Sequence, residues 1–236
     1  MLVDHLSIVI PNKNEGKNLT ECLRILNSQA QIRGVRVIIA DNSSIEQKPN
    51  YADLEEYDNL SISIVEGGYP ACARRNGSIL VDTPYLLFLD ADMKITDWWL
   101  LYDIINQYYG QFDLLTIPFR TDPKWDWGYR IFDLMQWFSH KILRQPLAIG
   151  GFQLFRTYAY WETGGYDCEQ LFAEDYSISI KIKAKNFKVY RIRKGIWTSP
   201  RRFENKGIWY MVRLMVMVYL NRNNPEFFKK SHGYWD

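Results

Sequence analysis

Apolar and polar positions follow two rhythms along the first half of the chain. The runs "LSIVIP" from Leu6, "VRVIIA" from Val35, "SISIV" from Ser61 and "YLLFL" from Tyr85 are short and each ends in polar or small residues, which predicts buried strands. Between them, "LTECLRIL" carries Leu19, Cys22, Leu23 and Leu26 at helical spacing, and "ACARRNGSILV" reads as a second helix. Strands alternating with helices imply βαβ units and a largely parallel sheet covered on both faces, an α/β fold. There is no internal repeat and no low-complexity tract.

Beyond residue 118 the rhythm changes. "WDWGYRIFDLMQWFSHKIL" puts Trp127, Ile131, Leu134, Phe138 and Ile142 on one helical face, expected to pack on the sheet, with an acceptor cleft or a membrane surface as other uses. "YSISIKIKAK" alternates with period two, as a strand would, whereas Leu171, Asp175, Ile178 and Ile182 fit a helix. "IWYMVRLMVMVYL", Ile208 to Leu220, is apolar nearly all round and is expected to be a helix buried in the core. It is too short for a membrane span and contains Arg213.

Composition refines this picture in three ways. With 47% hydrophobic and 24% charged residues, the 236-residue chain has the make-up of a soluble globular domain. The net charge of +2 conceals a division, since residues 1–180 hold 15 Lys/Arg against 24 Asp/Glu and residues 181–236 hold 14 against 3. A basic tail on an acidic body points to an anionic partner such as phosphate or lipid headgroups, and no nucleic-acid recognition motif accompanies it. Cys22, Cys72 and Cys168 are odd in number and far apart, so neither a disulfide framework nor a zinc site is expected. The N-terminus "MLVDHLSIVI" lacks the features of a signal peptide, and a reducing, cytoplasmic setting is expected.

Carboxylates close two of the expected strands: Asp41 after the second, Asp90 and Asp92 after the fourth. Ligands of open α/β sheets bind beyond the carboxyl ends of the strands. Residues i and i+2 of a strand share a side, so Asp90 and Asp92 are expected to face one ligand. Oxygen-only donors of this kind suit Mg²⁺ or Mn²⁺ shared with a diphosphate.

The order of motifs resembles that of family 2 glycosyltransferases. Pro11, Asn14 and Glu15 stand for P-x-x-N-E, "ADNSS" for an Asp-containing turn and "ARRNG" for A-R-N-x-G. The D-x-D strand follows, then "GGYD" (Gly164 to Asp167) before Glu174 and Asp175. The likeness runs from about Leu6 to Phe203. It implies a GT-A fold, with a Rossmann-like, mostly parallel central sheet flanked by helices. Residues 1–118 would be a donor-binding half, 119–206 an acceptor and catalytic half, and 207–236 a basic, aromatic helical tail.

The activity implied is metal-dependent, inverting transfer of a sugar from a nucleotide-diphosphate sugar, most often a UDP-sugar, to an acceptor hydroxyl. By the same resemblance Pro11 and Glu15 lie along the nucleoside, Asp41 meets the base, and Arg74 faces the base or diphosphate. Asp90 holds the ribose side and joins Asp92, the direct ligand of Mn²⁺ or Mg²⁺. Asp175 is the general base, and Glu174 binds hydroxyls. Arg201 and Arg202 would close over the diphosphate, where guanidinium groups match phosphate oxygens. The Q-x-x-R-W of processive members is not reproduced and no membrane span appears, so single transfer to a glycan or lipid-linked acceptor is expected; the basic, aromatic C-terminus raises peripheral membrane contact as a second use, with core packing the favoured reading. Two departures stand out: Arg75 where relatives usually carry Asn, and Asn42–Ser43 where D-G is common. A sugar-nucleotide nucleotidyltransferase would need a Gly-rich loop that "PNKNEGKN" lacks. A non-catalytic binding protein of the same fold would be expected to lose Asp92 or Asp175.

Overall fold

The computed structural model describes residues 1–141 and 150–233; of residues 51, 52, 55, 132, 135, 136, 139–141 and 202 it describes the backbone alone. In chain order the elements are β1 (Leu6–Asn12), α1 (Gly16–Asn27), β2 (Val35–Asp41), β3 (Leu60–Glu66), α2 (Pro70–Ser78), β4 (Tyr85–Leu89), β5 (Met93–Lys94) and α3 (Leu100–Tyr108). There follow β6 (Leu114–Thr116), β7 (Phe119–Arg120), α4 (Pro123–Lys141), β8 (Phe152–Arg156), α5 (Thr157–Glu162) and α6 (Glu174–Ala184). The last are β9 (Val189–Arg191), β10 (Ile196–Thr198), α7 (Arg201–Lys206), α8 (Ile208–Leu220) and α9 (Pro225–Phe228).

Among the described residues the main sheet has the order β3-β2-β1-β4-β8-β6-β9, and a small one has the order β5-β10-β7. In the main sheet every pairing is parallel except those of β8, which runs against β4 and β6. This is the mostly parallel, helix-flanked α/β architecture expected of the sequence. β1 and β4 read as continuous apolar runs because both faces of the sheet are covered. Ile8, Ile10, Leu87 and Leu89 join the core layer of α1 and α3. Val9, Leu86 and Phe88 point the other way, into a layer with Ala71, Tyr160 and Ile178 from α2, α5 and α6. The alternation in each strand thus divides one apolar run between two cores.

The contested "YSISIKIKAK" segment is helical, with Ile178 and Ile182 buried. Two other expectations are corrected. The apolar face of α4 does not pack on the sheet: Trp127, Ile131, Leu134 and Phe138 are exposed, and Ile142 lies outside the described residues. The opposite face is the packed one, where Trp125 and Tyr129 meet Phe203. Nor is α8 a core helix. Only Ile208 and Leu214 are buried, while Trp209, Val216, Tyr219 and Leu220 reach solvent. Periodicity reveals that a face is apolar, but not what covers it. No helix among the described residues is long and apolar enough to cross a membrane.

Candidate active site

The rim formed by the C-terminal ends of β1, β2 and β4 gathers most of the acidic residues singled out above. Asp41 closes β2 opposite Asn12 of β1 and is nearly buried. Its Oδ1 accepts hydrogen bonds from Asn12 Nδ2 at 2.7 Å, Ser43 N at 3.1 Å and Ser43 Oγ at 2.7 Å. Ser43 therefore takes part in shaping the turn where D-G is common. Gly67 lies against the same turn. A Cβ there would stand 2.7 Å from the carbonyl carbon of Asp41, so only glycine fits. Pro11, half-buried, pairs with Ala40 one step before this closure.

The strand stops at Leu89, and this corrects the reasoning about Asp90 and Asp92. Both lie in a turn closed by Met93 N–H donating to Asp90 O at 3.1 Å, so strand parity does not set their directions. Asp90 turns toward α2, where Arg74 Nη2 donates to its Oδ1 at 2.7 Å. Asp92 instead has its Oδ2 3.9 Å from Arg201 Nη2.

Arg74, expected to face the base or diphosphate, is buried at 2% exposure, its guanidinium between Asp90 and Glu174. Nη1 donates to Glu174 Oε1 at 2.6 Å, and the Tyr166 ring lies 5.5 Å beneath. Burial works against its charge, but Asp90, Tyr166 and Glu174 more than offset that, so the guanidinium is held firmly protonated.

Glu174 and Asp175 open α6, preceded by Ala173 at φ +50°, a left-handed conformation that costs a non-glycine residue energy and aims the start of the helix. Asp175 Oδ2 accepts from Gly150 N at 3.0 Å and Oδ1 from Tyr176 N at 2.8 Å. Burial lifts its carboxyl from the ordinary 3.8 to about 6; the Glu174 charge adds to this, and Arg74 opposes it. A carboxylate poised near neutrality, with its orientation fixed by two backbone amides, is equipped to take a proton.

Glu15, at the start of α1, is clasped by Arg201 through both oxygens, one at 2.9 Å, and accepts from Asn18 Nδ2 at 2.7 Å. Arg201 thus bridges Glu15 and the neighbourhood of Asp92 across the rim. The side chain of Arg202 lies outside the described residues.

The sequence reading missed several supporting residues. Arg75 donates to the carbonyls of Gly164 and Tyr166 at 2.8 and 2.9 Å, which ties the "GGYD" loop to α2 and gives the departure from Asn a structural role. Asn76 Nδ2 donates to the carbonyls of Glu66 and Gly67. Tyr166 hydroxyl and Gln153 Oε1 form a hydrogen bond in the buried layer below Arg74. Gln153 was discoverable, being a single polar residue inside the apolar run "GFQLF". The cysteine expectation is also corrected: Cys72 of α2 and Cys168, just after "GGYD", form a disulfide across 96 residues of sequence.

Among the described residues no three His, Cys, Asp or Glu side chains converge as a metal cage. The oxygen donors of Asp90 and Asp92 fit a hard divalent cation that takes its remaining ligands from phosphate and water.

A sequence model of the family "Glycosyl transferase family 2" matches residues 7–164. The chain belongs to this family. Among curated relatives, chondroitin synthase of Escherichia coli is 36% identical over 105 residues, 42% of this chain and 15% of that protein. Glycosyltransferase AglE of Haloferax volcanii is 32% identical over 99 residues, 40% of this chain and 33% of its own length. Among solved structures, residues 1–349 of S. aureus TarS superpose with a TM-score of 0.61 at 20% identity, over 91% of this chain and 65% of that one. Mannosyltransferase PcManGT from Pyrobaculum calidifontis, in complex with GDP-Man and Mn²⁺, gives 0.63 at 14% identity over 82% of this chain and 56% of its own. The chain therefore spans less than two thirds of each of these relatives. The structural likenesses establish the GT-A fold of this family 2 member.

Proposed function

We propose that this family 2 chain transfers a single sugar, without processive extension, from a nucleotide-diphosphate sugar, a UDP-sugar by preference, to a hydroxyl of a glycan or lipid-linked acceptor, inverting the anomeric carbon. The observation that carries this reading is the linked arrangement of acids. Asp175 is poised as a base, and through its neighbour Glu174 and then Arg74 it is joined to the Asp90–Asp92 turn. The fold relatives support the donor class, since S. aureus TarS has been crystallised with UDP-GlcNAc and PcManGT with GDP-Man and Mn²⁺.

Asp41 and Glu15 would border the nucleoside, with Pro11 at the wall between them. Asp92, with Asp90 beside it, would hold Mn²⁺ or Mg²⁺, whose charge stabilises the departing diphosphate. Arg201, now clasped to Glu15, is within reach to give its guanidinium to the same phosphates, with Arg202 next to it in sequence. Asp175 would accept the proton of the attacking hydroxyl, and attack opposite the leaving group inverts the centre. Arg74, being buried, acts through Asp90 and Glu174 as a positioning residue.

A panel of nucleotide sugars assayed with and without Mn²⁺ tests the reading. Asp92→Ala should lose metal-dependent donor binding, and Asp175→Asn should bind donor normally but transfer nothing. Turnover retained by Asp175→Asn would overturn the base assignment.

A further inference from the structure

Helix α8 is apolar on three sides, and two of them are accounted for. Ile208, Met211, Val212 and Met215 pack with Phe203 and Trp125. Tyr210, Leu214, Met217 and Val218 pack with Phe172, Tyr176 and Phe228. The third side carries Trp209, Val216 and Leu220, exposed at 80%, 49% and 70%, with Arg213 exposed among them. At 3.6 residues per turn these four fall within about 60° of the helix circumference. A helix held rigidly on two sides and apolar on its solvent side presents a preformed docking surface.

Charge selects the occupant. No acidic residue occurs between Glu204 and Glu226, whereas Lys206, Arg213 and Arg222 punctuate that stretch. Elsewhere in residues 181–236, Arg191, Lys194, Arg201 and Lys229 pair with acids of the rest of the chain, so it is the local stretch around α8 that gives this face its charge. Trp with aliphatic residues at the centre and Arg or Lys around them is the pattern of a helix lying in the headgroup region of an anionic bilayer. We propose that this face of α8 rests on anionic lipid, with Trp209, Val216 and Leu220 entering the boundary between headgroups and acyl chains. Arg213 sits at the level of the lipid phosphates, with Lys206, over the Tyr210 ring, at the start of the helix. The geometry also links this surface to the rim, because α7, which precedes α8, begins with the Arg201 that clasps Glu15.

The test needs no donor or acceptor, so its outcome is independent of the transfer reading. The whole chain is sedimented with phosphatidylcholine vesicles with or without phosphatidylglycerol. Binding is expected only with the anionic lipid, and should decline as salt shortens the screening length. Trp209→Glu combined with Leu220→Glu should lower partitioning by about tenfold or more, and Arg213→Glu should lower it too. Ile45→Glu, at an exposed apolar position elsewhere, should leave it unchanged. Circular dichroism of each variant confirms that it is folded. Failure to pellet with anionic vesicles, or pelleting indifferent to the α8 substitutions, overturns the proposal. So does a dimer in sedimentation equilibrium that those substitutions dissolve, which would make the face a contact between two copies.

Discussion

Transfer should fail as the pH falls through about 6, because a general base works only after its proton has left. Burial does most to raise the Asp175 carboxyl, the Glu174 charge raises it further, and Arg74 pulls it down. With a midpoint of about 6, the charged fraction is about 0.9 at pH 7 and about 0.1 at pH 5, so kcat at saturating donor should drop about tenfold. An ordinary aspartate titrating near 4 would lose less than roughly a tenth of its activity over that interval. Glu174→Gln removes the like charge beside Asp175, so the acid limb should move to lower pH. Initial rates of nucleotide diphosphate release, followed in both proteins, provide the assay. A profile flat between about pH 5 and 7, or a limb that stays in place in Glu174→Gln, refutes the argument from burial and charge.

Three further outcomes follow from the packing around the site. Arg74→Met leaves Glu174 buried without its partner and should destabilise the fold by about 3 kcal/mol, with Asp90 contributing less because it is a third exposed; an unchanged urea midpoint would show that the joint is not structural. Reduction of the Cys72–Cys168 bond releases a cross-link spanning 96 residues, worth about 4.7 kcal/mol in the chain-entropy account. Reductant should therefore lower the urea midpoint of the native chain but not that of Cys72→Ser, and insensitivity of both would mean that the sulfurs are unbonded. Gly67→Ala forces the Asp41 turn to shift, because backbone lies 2.7 Å from the new Cβ; donor affinity measured by calorimetry should fall, and wild-type affinity would refute the role of that turn.

What could be read from the chain, and what could not, divides along a physical line. The order of strands and helices was legible because β1 and β4 are short, mainly apolar runs and α1 keeps its spacing, all of them local signals. That acids would stand at the strand ends was legible for the same reason. The directions of Asp90 and Asp92 were not, since parity holds only while a strand continues and β4 stops one residue earlier. The burial of Arg74 depends on partners 16 and 100 residues away, and the disulfide on two cysteines brought together by α2 and the "GGYD" loop. The exposed faces of α4 and α8 show the same limit, because amphipathicity defines a face without naming its neighbour.

The reversed direction of β8 has its own consequence. Its neighbours β4 and β6 leave the sheet at the rim, whereas β8 enters there. The dipeptide before it can therefore offer both backbone polarities at one point. Gly150 gives its N–H to Asp175, and Gly151 receives the N–H of Asp90 on its carbonyl at 3.1 Å. Two adjacent residues thus serve as a common anchor for Asp175 and the acidic turn, so a displacement of one is conveyed to the other through a single stretch of main chain.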